Sequence, residues 1–277
     1  MKIREKVSNS LIHLVLTIMS ILWLIPIIWV ILTSLRIEKG SFVKNFLPES
    51  LTFDNYIKLF TDTFFPQWFS NTFFVACCSC VLTVIISLGV AYVISRMRFK
   101  MRKPFMNIAL ILGMFPGFMS MIAIYYVLKS MGLTQSLLAL IIVYSSGAGL
   151  QFYIAKGFFD TIPKSIDEAA KLDGATNAQI FYKIILPLSK PILIYSALTA
   201  FTAPWMDFIF AKVIMGTKNE NFTVAVGLFE MLDKEHIDVQ FTQFAAGSVC
   251  IAIPITIIFI LLQRFYVEGV TGGAVKS

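Results

Sequence analysis

The sequence predicts an all-α polytopic membrane protein with six transmembrane helices, and three observations carry that expectation. The first is composition. Of 277 residues, 57% are hydrophobic and 14% charged, whereas soluble globular domains carry about 25% charged residues. With a mean hydropathy of +0.79, the chain cannot supply the polar surface that a soluble domain of this length presents to water. The second is spacing. Apolar runs near the ~20 residues that cross a bilayer recur at 11–34, 71–95, 105–128, 134–155, 191–215 and 243–263. The third is the placement of basic residues. If the N-terminus is inside, the inner segments 1–10, 96–104, 156–190 and the C-terminal tail hold 15 of the 23 Lys and Arg residues. The densest run, RMRFKMRK, fills the short loop between the second and third runs, where the positive-inside bias acts most strongly.

Each element follows from these patterns. The first run is too long for a signal peptide, contains Pro26 and is followed by no small-x-small cleavage site, so it reads as a retained span. Both termini are then cytoplasmic. The chain divides into 1–34 (N-terminus and first span), 35–70 (outer loop), 71–265 (a five-helix core containing the inner loop 156–190) and 266–277 (cytoplasmic tail). The outer segment 36–70 reads as a folded cap with short helices. Phe65, Trp68 and Phe69 suit an interfacial aromatic belt. Pro26, Pro116, Pro204 and Pro254 lie inside spans and can kink them, and YSSGAGLQF in the fourth run is a candidate for local unwinding.

Composition also excludes functions. The net charge of +7 could suggest nucleic acid, but the basic residues are spread over loops on one membrane face. Cys77, Cys78, Cys80 and Cys250 sit in apolar runs, where neither a disulfide framework nor a zinc site is expected. No catalytic constellation and no metal-ligating set is present in the pattern. Within the spans, Asp207 is the conspicuous polar residue, because a charge at membrane depth is expensive. It reads either as a gate residue near a transported molecule or as a hydrogen bond to a neighbouring helix. Trp205 could stack on a sugar ring or simply pack. Gln151 and Asn71 are weaker candidates of the same kind.

The most informative stretch is polar: DTIPKSIDEAAKLDGATNAQIFYKIILPLSKP, residues 160–191. Ser165 with Glu168 three residues later has the pattern of a capping box, and Thr176 with Gln179 repeats it. Asp167 and Glu168 suit the positive end of a helix. Gly174 is a natural stop. Two short helices with a glycine corner are therefore expected. A helix of two turns is marginal alone, so packing must order it. Ala169 and Ala170 keep it slim enough to enter a groove. It is either a loop helix lying on its own membrane domain or a docking knuckle for a soluble partner.

These residues resemble the cytoplasmic EAA loop of the membrane subunits of ATP-binding-cassette (ABC) importers, E-A-A-x3-G-x9-I-x-L-P: here Glu168-Ala169-Ala170, Gly174, and Ile184-x-Leu186-Pro187. The flanking FYIAKGFFDTIP and the end QRFYVEGVTGGAVKS are similar to the smaller permease subunit of maltose/maltodextrin-type oligosaccharide importers. The resemblance covers spans two to six and the tail. It implies a type I ABC importer permease fold whose coupling helix sits in a cleft of an ATPase subunit. Ser165, Asp167, Glu168, Ala169, Ala170, Gly174, Leu186 and Pro187 would form that coupling element, with Asp167 and Glu168 facing ATPase groups. Gly272, Gly273 and Val275 of the tail would reach between two ATPases. The resemblance also implies a second permease subunit, an ATPase dimer, and an extracytoplasmic sugar-binding lipoprotein or periplasmic protein. The bound nucleotide, ATP with Mg, would belong to the ATPase, since this chain has no G-x-x-x-x-G-K-[ST] phosphate loop and no cofactor of its own.

The expected function is oligosaccharide import across the bacterial cell membrane, maltodextrin-like, with a galacto-oligosaccharide or raffinose-type sugar as the alternative. An ion-coupled secondary transporter would show internal repeats and more buried ionisable groups. Here Asp207 stands nearly alone.

Overall fold

The computed structural model describes residues 2–40, 45–115 and 117–271. Among them the architecture is helical, and the only extended pairing is an isolated bridge between Arg36 and Leu51. In chain order the helices are α1 (Lys2–Ser34), α2 (Asp54–Thr61), α3 (Phe65–Arg96), α4 (Arg102–Gly113), α5 (Gly117–Ser130), α6 (Leu137–Ser146) and α7 (Ala148–Phe159). They continue with α8 (Lys164–Leu172), α9 (Asn177–Ile180), α10 (Leu186–Leu188), α11 (Lys190–Met206), α12 (Ile209–Met215), α13 (Val224–Glu230) and α14 (Ile237–Thr271).

Among the described residues three unbroken helices are long and apolar enough to cross a membrane: Ser10–Ser34 within α1, all of α3, and Ile237–Phe265 within α14. Pro26 and Pro254 lie inside α1 and α14 without ending them. The other predicted spans are interrupted: among the described residues at least three spans are continuous, and up to five are present when each bent pair counts as one. The fourth run bends by 43° between α6 and α7, with Gly147 at the junction as the glycine-rich sequence suggested. The segment 177–188 meets α11 at 83°, and α11 gives way to α12 at Asp207 and Phe208. The third run is carried by α4 and α5, of 12 and 14 residues. Each is shorter than the ~20 residues a span needs. Pro116 lies outside the described residues.

The chain forms two compact units, Met1–Pro66 with Leu228–Ile253, and Gln67–Gly227 with Pro254–Ser277. In the first, the expected outer cap is organised around a buried arginine. Arg36 donates from one guanidinium nitrogen to the carbonyls of Asn45 and Phe46 at 3.0 and 2.9 Å. Asn55 on α2 donates to the carbonyls of Ser34 and Arg36, and its own oxygen accepts from Thr242. Most buried polar groups in proteins are bonded in this way. Phe65, expected in an aromatic belt, is buried here instead, edge-on to Phe60.

The second unit is organised by α3, 32 residues and so about 48 Å long. At its beginning, Trp68 donates from Nε1 to the Asn219 carbonyl at 2.7 Å. Asn71 donates to the carbonyls of Glu220 and Phe222, each at 3.0 Å, and Thr72 accepts from the Val224 amide at 2.8 Å. Trp68 is thus not an interfacial anchor but a buried one. The Trp68 ring lies so close to Gly227 that a Cβ there would stand 2.1 Å from a ring carbon. At the far end, α3 packs into a cluster that includes Leu88, Ala91, Ile94, Phe152, Phe159 and Ile185. This apolar cluster is the floor beneath the polar loop 160–191.

Candidate functional site

The two expected short helices form, α8 and α9, with Gly174 between them. Gly174 has φ +82°, and a Cβ there would meet nothing within 4 Å. The backbone angle, not crowding, therefore demands glycine. The corner is a complete Schellman motif: the Ala175 amide donates to the Ala170 carbonyl at 2.9 Å and the Gly174 amide to the Lys171 carbonyl at 3.0 Å. Thr176 and Gln179 form the capping box that their spacing predicts. The box at Ser165 does not form. Helix α8 starts at Lys164, two residues earlier than a Ser165 cap requires, with Pro163 at the N-cap and no side-chain cap bond. Ser165 is thereby inside the helix and cannot serve as its cap.

Helix α8 has two distinct faces. Ile166, Asp167 and Ala170 turn inward; Ile166 and Ala170 pack against the apolar floor. Ser165, Glu168, Ala169 and Leu172 are exposed, and their i, i+3, i+4, i+7 spacing aligns them in one stripe. The two alanines thus have different tasks, Ala170 seating the helix and Ala169 facing out. Leu172 is 90% exposed, an apolar side chain at the tip of a polar helix. Sequence reading passed over it. The signal was present as a leucine on the stripe of Glu168 and Ala169. Leu186 packs partly against the floor, and Pro187 is exposed.

Asp167, expected to face a partner, is instead turned toward α3. Its Oδ2 lies 2.9 Å from Arg96 Nε, and both side chains are at most 10% exposed. The contact is electrostatic rather than a well-aligned hydrogen bond, and Arg96 Nη1 and Asp167 Oδ1 have no hydrogen-bond partner among the described residues. Arg96 also donates from its other terminal nitrogen to the Ile162 carbonyl at 3.0 Å. Two neighbours on α3 join it. Tyr92 donates to the Asn177 carbonyl at 3.0 Å, and Ser95 donates to Asp160 Oδ1 at 2.6 Å. The last turn of α3 therefore holds the loop at Asp160, Ile162, Asp167 and Asn177. Burial alone would raise the Asp160 pKa. Hydrogen bonds from Lys156 and Ser95 and the charges of Lys156 and Arg102 outweigh it and hold the carboxyl below its ordinary value.

The intramembrane candidates have structural partners. Asp207 ends α11, accepts from Tyr144 at 2.7 Å, and its other oxygen accepts from the Phe210 amide at 3.1 Å, capping the start of α12. Gln151 donates to the Ser196 carbonyl and to Thr199 Oγ1 at 3.1 and 2.7 Å. Thr199 precedes Asp207 by eight residues, about 12 Å along a helix, so Gln151 and Asp207 do not share one site. Trp205 is 4% exposed, edge-on to Phe69, and its indole N–H is buried without a partner among the described residues. Gly272, Gly273 and Val275 lie outside the described residues.

The chain is thus a polytopic helical domain carrying a short helix that is held on one face by α3 and the core and exposed on the other. Residues 84–271 match the family model "Binding-protein-dependent transport system inner membrane component", and the chain belongs to that family of importer permease subunits. It is a multi-pass membrane protein and a transport subunit. It is 34% identical to the galactooligosaccharides transport system permease protein GanQ of Bacillus subtilis, over 100% of this chain and 99% of that protein. It is 34% identical to the maltodextrin transport system permease protein MdxG of Bacillus subtilis, over 96% and 95%. It is 33% identical to the maltose/maltodextrin permease MalG of Escherichia coli K12, over 99% and 97%. A solved structure of a bacterial ABC transporter that imports the acidic polysaccharide alginate has the same fold, with TM-score 0.82 at 24% identity over 94% of this chain and 97% of that one.

Proposed function

We propose that this chain is the permease subunit of an ATP-driven oligosaccharide importer, and that a separate ATPase grips the exposed stripe of α8. The observation that carries the reading is the two-faced helix. Asp167 and Ala170 tie α8 to α3 and the core, while Glu168, Ala169 and Leu172 face solvent. A push on that stripe passes to a helix about 48 Å long, so a nucleotide-dependent change in the grip has a rigid element to move. Coupling requires that the partner bind the two states of the transporter with different free energies. The ATPase would carry ATP and Mg. A second permease subunit, an extracytoplasmic sugar-binding protein at the outer loops, and the tail residues Gly272, Gly273 and Val275 inserted between ATPases complete the assembly. Both termini would be cytoplasmic.

The substrate class is a maltodextrin-like oligosaccharide, supported by the relatives named for maltodextrin transport. A galacto-oligosaccharide is the second reading, favoured by GanQ matching over the whole chain. Trp205, Asp207 and Gln151 are proposed to border the pathway, where Trp205 offers an unpartnered donor. Replacing Leu172→Glu or Glu168→Lys is expected to abolish co-purification of the ATPase and sugar uptake while membrane insertion persists. Normal uptake in both variants would refute the docking face. Uptake of labelled maltodextrins and galacto-oligosaccharides, in cells lacking this chain and complemented with it, separates the two sugars.

A further inference from the structure

The turn between α3 and α4 borders a cleft of about 630 Å³ next to α7. Its polar lining is cationic: Arg98 and Lys100 from the turn, Arg102 and Lys103 from the first turn of α4 and Lys156 from α7, with Phe99 among them. Residues 96–104 contain no acidic side chain. Among the described residues Asp160 is the acid that meets this cluster, through its ion pair with Lys156 and the charge of Arg102. Among the described residues no ion pair engages Arg98, Lys100 or Lys103. Such a concentration of like charge repels itself unless an anion is supplied.

Its depth and its rim say which anion. Five residues separate α3 from α4, too few to carry the turn away from the membrane surface. Phe99, Met101 and Phe105 interleave with the bases and are 41%, 61% and 43% exposed. Cationic groups flanked by exposed apolar ones match a molecule with a phosphate at one end and hydrocarbon at the other. The volume lies within the ~300–1,000 Å³ of small-molecule sites, and basic pockets between membrane helices on the cytoplasmic side take lipid headgroups.

We propose that this cleft binds the phosphate of an anionic phospholipid, held by Arg98, Lys100 and Lys103, with Phe99 and Phe105 against its acyl chains. The site is separate from the exposed stripe of α8 and does not depend on what grips that stripe.

The test uses the full-length chain in nanodiscs of equimolar phosphatidylglycerol and phosphatidylcholine, with retained lipid counted by native mass spectrometry. Preferential retention of phosphatidylglycerol is expected, falling roughly tenfold in the triple variant Arg98→Gln, Lys100→Gln, Lys103→Gln. The charge-keeping triple Arg98→Lys, Lys100→Arg, Lys103→Arg should retain it. Equal retention of the two lipids, or undiminished phosphatidylglycerol in the neutral triple, overturns the proposal. Displacement of the lipid by millimolar inorganic phosphate or glycerol 3-phosphate overturns the assignment to a headgroup. A neutral triple that keeps its lipid but no longer co-purifies with a soluble subunit makes the cleft a protein interface, and also overturns it.

Discussion

The two ends of α3 are built on opposite principles. At its start, Trp68, Asn71 and Thr72 hold residues 219–224 through four hydrogen bonds between neutral groups, and Gly227 lets the backbone close on the Trp68 ring. At its finish, Arg96 and Ser95 hold residues 160–167 through ionised side chains, and several of those charges lack full hydrogen bonding. The first junction is close-packed and held by neutral hydrogen bonds, whereas the second rests on a buried charge pair whose Arg96 Nη1 and Asp167 Oδ1 lack hydrogen-bond partners among the described residues. The proposed coupling would use the charged joint at the loop and the close-packed one at the other end. Close-packed regions are hard to deform continuously.

Arg96→Met should break the charged junction with the largest effect. It leaves the Asp167 carboxylate buried and unpaired, at a cost of about 3–5 kcal/mol. Thermal unfolding in detergent and uptake should both fall. The double variant Arg96→Met with Asp167→Leu should recover most of the stability, since apolar replacement of a buried pair is often tolerated, but not the uptake. Full recovery of uptake would show that the pair only seats the loop.

The fixed junction should respond to crowding rather than to charge. Gly227→Ala drives a methyl into the Trp68 ring and should cost about 1–3 kcal/mol, read as a lower melting temperature that is independent of salt. Trp68→Leu on the same background should restore part of it. A Gly227→Ala protein of unchanged stability would mean that the Trp68 packing is looser than its 2.1 Å approach implies.

Asp160→Asn should have the smallest effect, under about 1 kcal/mol, because the pair with Lys156 is partly exposed. The sign follows from its lowered pKa. The carboxylate contributes its stability fully above the ordinary carboxylate range, and the contribution is lost as pH falls through the lowered pKa. Stability of the wild type relative to Asp160→Asn should therefore be flat above pH ~5 and decline below pH ~4. A difference that grows as pH rises from 6 to 8 would contradict this.

Much of the loop 160–191 was legible in the sequence because its signals are local. Gly174 announces a left-handed corner, and Thr176 with Gln179 announces a cap, from residues three or four apart. Ser165 with Glu168 carried the same signal and misled, because the chain enters the helix at Pro163 and the helix starts two residues earlier. The directions of Asp167 and Ala169 were not legible. Each depends on which face meets α3, some 70 residues away, and no local pattern encodes that. Asp207 read either as a gate or as a hydrogen bond to a neighbouring helix, because its depth was visible while its partners Tyr144 and the Phe210 amide were not.

By itself, the sequence determined the solvent this protein lives in, the length of its apolar runs, the basic faces, the turns and the family motif. These are sums over composition or contacts within one helical turn. Tertiary structure alone decided which runs stay straight and which break, that Arg96 reaches back to Asp167, and that Leu172 is left bare. Those outcomes depend on which distant groups meet in a medium where an unpaired polar atom is costly, and partners that far apart are chosen by packing.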